Sequence, residues 1–386
     1  MAKKQSKREA HEYWSYPDMT KALEIALYYG FTPVDPVAIE KSDRDFGKHF
    51  ATEEGCYYKP EEKAALLRTW FGDNQSMTPV MIATAHTSSR SSKAIEYTLD
   101  VLGTNRSIAD ATLLKTTYET IRSEGYENLN LEINSIGDRE SFARYTRELG
   151  NYYRKHVQEV CAESRQLMKK GGHHVPKCEH QECKDIFRRA PHPINFLSEP
   201  SRSYFMELLE LLETTDIPYS LNNELVANPE CTMHTVFRIT SNDGKKDEVV
   251  AYGARWGMIA KKMGFKKDIQ GMSATILIQR PEKKDKPAKI KKPQLYFIQM
   301  GQEAKLKSLR VIEVLRQSKI PVYHSLTKDK LTAQLMSAEN LKVPYILIMG
   351  QKESMENTIV IREMSNRSQE TVRVEQVAEY IKRIIR

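Results

Sequence analysis

The sequence predicts an α+β core followed by a separate α/β domain, and three observations carry that prediction. Residues 294–386 alternate short apolar strand patterns with helical ones. The stretch before them, PEKKDKPAKIKKP (281–293), holds six lysines and three prolines and reads as a linker. Further upstream, HTVFRIT (234–240) and EVVAYGARW (248–256) carry strand signals on either side of the turn SNDGKKD. With 386 residues the chain is long enough for two or three domains, each with a core of its own.

Composition narrows the function classes. No apolar run reaches the roughly 18 residues of a membrane span, so no membrane partner is expected. The first residues, MAKKQSKREAHEY, are basic with no apolar stretch after them, which argues against a secretory signal and for a mobile basic tail. Five scattered cysteines make no disulfide framework and suit reduced thiols in a cytoplasmic protein. The net charge of +8 favours a polyanionic partner such as nucleic acid through counterion release, or else marks a lysine-rich solvated surface.

Along the chain, MTKALEIALYYG (19–30) has helical spacing and a glycine stop. FTPVDPVAIE follows, and its prolines suit an extended edge or interface segment. PVMIA (79–83) and IEYTLDVL (95–102) read as strands flanking a polar loop, Thr87 to Lys93. Alternation in the second puts Ile95, Tyr97, Leu99 and Val101 on one face. Residues 109–125 read as a helix closed by Gly125, 129–138 as a strand ending in a turn, and 139–156 as a charged helix. Residues 161–203, rich in His, Cys, Lys and Pro, look like an inserted module. IPYSLNNELV begins another strand, and SATILIQ (273–279) is a buried one. In the last domain QLYFIQM, IPVYHS, YILIMG and TIVIREM read as strands, with EAKLKSLRVIEVLRQSK, KLTAQLMSAENL and VEQVAEYIKRII as helices.

Several of these stretches, in this order, resemble histidyl-tRNA synthetases. VLGTNRSIADATLL is similar to the end of motif 2 and the helix after it. LNLEINSIGDRESFARYTRELGNYY resembles the lead into the family's insertion, and PKCEHQECKDIFRRAP its cysteine-containing part. YFIQMGQEAKLKSLRVIEVLR through VPYILIMGQKE resembles the anticodon-binding domain shared by several class II synthetases. The resemblance implies a class II synthetase-like core of mixed, mostly antiparallel sheet over residues 1–280. It also implies a helical insertion at 139–203, the linker at 281–293 and an anticodon-binding-like α/β domain at 294–386. It further implies a homodimer formed through motif 1, for which YGFTPVDPVAIE with Pro36 is the candidate, and tRNA as the partner.

Amino-acid activation needs cations preplaced around the ATP α-phosphate, and guanidinium groups serve because they stay charged and bond phosphate oxygens in pairs. The resemblance implies three places for them, and the sequence departs from the family at each. In LVANPECTMHTVF (225–237) the ends match, but the catalytic arginine falls on Ala227 and the paired tyrosines on Cys231 and Thr232. In motif 2 the arginine position falls near Ile82-Ala83, with Arg90 and Lys93 in the shortened loop as anion-contact candidates. Motif 3 has Leu277-Ile278 there, and Arg280 is displaced by about 7 Å along the strand. YGARW matches the histidine-recognition stretch loosely, with Arg255 offset. YYKPEEKAALLR (57–68) still resembles the Arg-Pro-Glu segment, so Glu61, Arg90, Glu96 and Arg255 are the pocket candidates. Glu61 is also a plain helix-start acid favoured by the dipole. Each lost charge removes about 2.7–4 kcal/mol of transition-state stabilisation, by analogy with oxyanion-hole donors.

The leading expectation is therefore an inactive tRNA-binding or regulatory paralogue with no cofactor and no catalytic residues. An active divergent ligase using ATP and magnesium, with Arg90, Arg255 and Arg280 as replacements, is the alternative. A regulatory subunit of ATP phosphoribosyltransferase ranks last, because that family generally lacks the anticodon-binding domain. On the C-terminal domain, Lys328, Lys330, Gln334, Gln351 and Lys352 form the candidate RNA face, against a solvated basic surface as the alternative. Cys178 and Cys183, with His180 near them, are weak zinc candidates whose spacing is not a paired knuckle, so no metal is expected. Cys231 reads as a buried structural thiol, since His234 three residues on points to the other strand face.

Overall fold

In the computed structural model of the chain the described residues are 13–15, 20–49, 57–72, 79–87, 94–169, 180–242, 247–279 and 289–385. The chain opens with β1 (Tyr13–Ser15), α1 (Lys21–Tyr28), β2 (Thr32–Pro33), α2 (Lys41–Lys48), α3 (Pro60–Phe71), β3 (Val80–Thr87) and β4 (Ala94–Leu102). Thr20 caps α1 by accepting the Leu23 N–H at 3.3 Å, and Gly30 at φ +92° lets the chain leave it. Pro60 starts α3 at the position where its missing N–H costs nothing. Next come α4 (Ser107–Ser123), β5 (Leu129–Ser135) and α5 (Arg139–His156), the last capped by Asp138 accepting the Ser141 N–H at 2.8 Å.

The segment that follows holds α6 (Ala162–Lys169) and α7 (Gln181–Arg188). The chain returns through α8 (Glu199–Glu213), β6 (Tyr219–Leu221), β7 (Thr232–Asn242), β8 (Asp247–Trp256), the short α9 (Ile259–Lys262) and β9 (Gly271–Gln279). One eight-stranded sheet results, in the order β2-β3-β4-β9-β8-β7-β5-β6. It is antiparallel except at its two ends, where β2 runs parallel to β3 and β6 parallel to β5. This is the mixed, mostly antiparallel sheet that the resemblance implies.

The basic linker ends earlier than its composition suggests. Residues Lys289–Lys291 form β10, which pairs antiparallel with β1 from the other end of the chain. After it come β11 (Leu295–Gln299), α10 (Gln302–Gln317), α11 (Leu331–Asn340), β12 (Tyr345–Met349), α12 (Gln351–Glu356), β13 (Thr358–Glu363), β14 (Gln369–Arg373) and α13 (Val377–Ile384). Their sheet has the order β11-β12-β13-β14, with only the first pair parallel. IPVYHS is not a strand of this sheet. It makes a single bridge, Tyr323 to Tyr296, because Pro321 has no N–H to extend a ladder.

The two sheets share one continuous apolar core. Leu27, Phe31, Leu113 and Leu212 from the first part join Leu309, Ile312 and Leu315 of α10 in a single buried cluster. Polar bonds fix the orientation: Tyr29 donates its hydroxyl proton to Glu313, and Thr214 donates to the Leu306 carbonyl at 3.0 Å. Arg106 reaches Asp329 at 2.8 Å. Among the described residues no helix is long and apolar enough to cross a membrane.

Candidate functional site

A cleft of about 270 Å³ opens between α3 and the β3–β4 pair, lined by Pro36, Val37, Lys59, Lys63, His86 and Asp100 among others. The sheet pattern explains its chemistry. Alternation correctly places Tyr97, Leu99 and Val101 in the core, but β4 is a central strand and its other face is covered too, by α3. Glu96, Thr98 and Asp100 on that second face are 2%, 5% and 1% exposed. A buried carboxylate must be paired. Asp100 accepts from the Lys63 ammonium at 2.6 Å and from the Ser273 hydroxyl, which in turn accepts the Trp256 indole N–H at 2.8 Å. Glu96 meets His86 Nε2 at 2.9 Å and Lys59 Nζ at 3.5 Å.

The cleft is therefore charge-compensated from within. Two ammonium groups, Lys59 and Lys63, face three carboxylates, Glu62, Glu96 and Asp100. Burial works against ionised Glu96, yet Lys59 and His86 hold its pKa below the ordinary value. Burial likewise opposes the Lys59 charge, and Glu62 and Glu96 outweigh it and raise its pKa. Among the described residues such a balance suits a self-satisfied polar cluster and offers no surplus positive charge to a polyphosphate.

Deeper in the core, Arg255 is fully buried and spends its donors internally. Its Nε donates to both Asp110 oxygens at 3.0 and 3.1 Å, Nη2 also reaches Asp110, and Nη1 donates to the Thr104 carbonyl at 2.9 Å. Tyr204 and Thr235 each donate a hydroxyl proton to Asp110 at 2.8 Å. The guanidinium carbon lies 5.5 Å from the Tyr204 ring centre, and His234 stacks on that ring's plane at 4.8 Å. Burial opposes the Arg255 charge, but Asp110 and Tyr204 raise its pKa above the ordinary value. Burial, with Arg255 beside it, pulls the His234 pKa down to about 4.

The expected pocket residues scatter. Arg255 is a structural group in this network and is not presented to the cleft. Glu96 lies directly behind the cleft wall. Glu61 is half-buried and faces α2: a Cβ built on Gly47 would fall 2.9 Å from its carboxylate. Arg90, Lys93 and Arg280 lie outside the described residues. The three places where the resemblance implies activating arginines hold buried apolar groups: Ala227 at 0% exposure, Ile82 and Ala83 at 0% and 1%, and Ile278 at 3%. The strand begun by IPYSLNNELV ends at Leu221, and Leu225 and Val226 are buried outside any strand. Pro229 cannot donate to a ladder, and Asn228 turns the chain by accepting the Glu230 N–H at 2.9 Å on its side-chain oxygen. Strand β7 begins only at Thr232 and bulges at His234, φ +52°. Cys231 is a buried thiol bonded to the Asn228 carbonyl at 3.5 Å.

Sequence reasoning missed Lys63, Asp100, His86 and Asp110. The available signal was a charge placed inside otherwise apolar helical or strand runs, as Lys63 stands before Ala-Ala-Leu-Leu.

On the C-terminal domain, Lys328 and Lys330 are exposed just before α11, and Gln351 and Lys352 are exposed at the start of α12. Gln334 does not belong to this face. It is fully buried, accepting the Gln299 N–H at 3.1 Å and donating to the Gln299 carbonyl at 2.8 Å. In effect it pairs with β11 as a strand would, which the helical pattern could not reveal. Cys178 lies outside the described residues, while Cys183 is buried and His180 occupies the N-cap position of α7.

This geometry defines a core built on an eight-stranded, mostly antiparallel sheet, joined to a C-terminal α/β domain. Residues 294–384 match the model of the anticodon binding domain family. The chain is 28% identical over 282 residues to a histidine–tRNA ligase of Listeria monocytogenes, covering 71% of this chain and 66% of that protein. It is 24% identical over 294 residues to a histidine–tRNA ligase of Dehalococcoides mccartyi, covering 75% and 70%. The apo histidyl-tRNA synthetase of S. aureus superposes with a TM-score of 0.49 at 18% identity, covering 93% of each chain. The matching segment thus spans about two thirds of the Listeria relative's length. The chain is thus similar to histidine–tRNA ligases over about three quarters of its length, and its residues 294–384 match the anticodon binding domain.

Proposed function

We propose that this chain is a histidyl-tRNA synthetase-like protein that does not form an aminoacyl adenylate. It acts as a homodimeric tRNA-binding or regulatory protein of the cytoplasm and needs no ATP or magnesium. One observation carries the reading. Every position where the resemblance implies an activating arginine holds a buried apolar side chain, and the core guanidinium of Arg255 is consumed by Asp110. Stabilising the charge that develops on the α-phosphate needs donors aimed at it before reaction, and a compensated cleft supplies none in surplus. The RNA part of the reading rests on the anticodon binding domain match and the exposed lysines flanking the start of α11.

Aminoacylation and tRNA binding, measured on one preparation, test both halves. The expected result is no histidyl-tRNA above background together with binding that weakens as salt rises. Histidyl-tRNA formation would instead establish an active ligase. Absence of both activities would remove tRNA as the partner. Sedimentation equilibrium checks the dimer, and a monomer at all concentrations would contradict it.

A further inference from the structure

The segment between α5 and α8 brings together three soft-metal ligands that the proposed function does not use. Cys161 immediately precedes α6, His180 is the cap residue of α7, and Cys183 sits in the first turn of α7. One ligand atom from each lies within 4.8 Å of the other two. Cysteine spacing alone did not reveal this set, because Cys161 joins it from 22 residues before Cys183, its backbone N–H donating to the Cys183 sulfur.

The surroundings are those of a built site. Cys183 is 1% exposed and packs with Tyr153, Val160, Met168, Phe187 and Ala190. Its sulfur accepts the Cys161 backbone N–H at 3.3 Å. The Cys161 sulfur accepts the Ser164 N–H at 3.5 Å and lies 3.3 Å from the Ser164 hydroxyl. N–H donors at a helix start favour a thiolate, the form in which cysteine binds metal. Two sulfurs and an imidazole are a borderline-soft set that suits zinc, and they exclude calcium and magnesium, which take oxygen.

We propose that Cys161, His180 and Cys183 bind one zinc ion, which staples the start of α6 to the start of α7. Tetrahedral zinc with bonds of about 2.3 Å to sulfur places two sulfurs about 3.8 Å apart, so rotations of exposed or half-buried side chains close the site. Each thiol loses its proton to solvent as its Zn–S bond forms, and no electron moves. The ion's role is structural: it ties together a segment whose helices α6 and α7 are eight residues each, too short to hold themselves.

The test uses the full chain, purified untagged and reduced from zinc-supplemented cells. Elemental analysis of the wild type should give about one zinc per chain. Cys161→Ser should abolish it, and His180→Ala, a change at an exposed residue, should weaken zinc affinity at least about tenfold with unchanged circular dichroism. Cobalt added to stripped wild-type protein should give a sulfur-to-metal charge-transfer band that Cys161→Ser lacks. Under about a tenth of an equivalent of zinc in the wild type would overturn the proposal. Zinc retained at full stoichiometry in a Cys161→Ser/Cys183→Ser double variant would overturn it too. So would a Cys161–Cys183 disulfide found by peptide mapping of protein handled without reductant.

Discussion

The core cleft and the start of α11 treat their cations in opposite ways. In the core, Lys63 is 1% exposed against Asp100, and Arg255 is 0% exposed against Asp110. At α11, Lys328 and Lys330 stand exposed, with Lys330 in the cap position of the helix. The first region turns its charge inward to satisfy its own carboxylates. The second turns it outward, where a phosphate backbone can meet it. The contrast is one of burial: the core pairs its cations with carboxylates, and the start of α11 leaves two lysines exposed.

Removing Asp110 puts most strain on this contrast. Asp110→Ala leaves the Arg255 guanidinium buried and unpaired, and the loss of stability should be about 3–5 kcal/mol by urea unfolding. A loss under about 1 kcal/mol would mean that Arg255 is not held by this network and is available to a ligand. Acid should work through the same cluster, since His234 faces Arg255, Asp110 and Asp138. Its folded pKa of about 4 lies below the unfolded value of 6.5. The unfolded chain therefore binds the extra proton between those values. The His234 contribution is complete above about pH 6.5, falls by on the order of 2–3 kcal/mol as pH drops toward 4, and then levels. His234→Asn, which tolerates the positive φ, should flatten that part of the pH–stability curve. An unchanged slope would acquit His234.

Smaller effects separate structure from binding in the C-terminal domain. Gln334→Leu strands the Gln299 N–H and carbonyl and should cost about 1–3 kcal/mol, with tRNA affinity of the folded fraction unchanged. Lys328→Glu with Lys330→Glu should do the reverse. Stability should move by less than about 0.5 kcal/mol, while tRNA binding weakens and its salt dependence becomes shallower. Equal tRNA affinity in wild type and the double lysine variant would move the RNA face elsewhere.

Much of the architecture was legible because period and punctuation agree locally. The helix expected from Arg139 to about His156 is α5, since Asp138 offers a cap and the apolar positions recur at helical spacing. Gly30 and Gly125, both at positive φ, close helices where glycine predicted a stop. The resemblance identified where the activating arginines are replaced, because that is a matter of residue identity. Partnership at long range was not legible. Arg255 and Asp110 are 145 residues apart, and nothing local to either tells that they meet. The same holds for Lys63 with Asp100, for Gln334 with Gln299 and for Cys161 with Cys183. Strand β4 misled in a specific way. Alternation named its core face correctly, but only the sheet order tells that its polar face is buried as well.

The central claim is that the cleft no longer activates an amino acid, and ATP–pyrophosphate exchange with histidine isolates that step from any tRNA effect. No histidine-dependent exchange above background is expected, in protein that unfolds cooperatively and binds tRNA. Robust histidine-dependent exchange would contradict that expectation and would mean that cations beyond the described residues, Arg90 and Arg280 first among them, complete a working site.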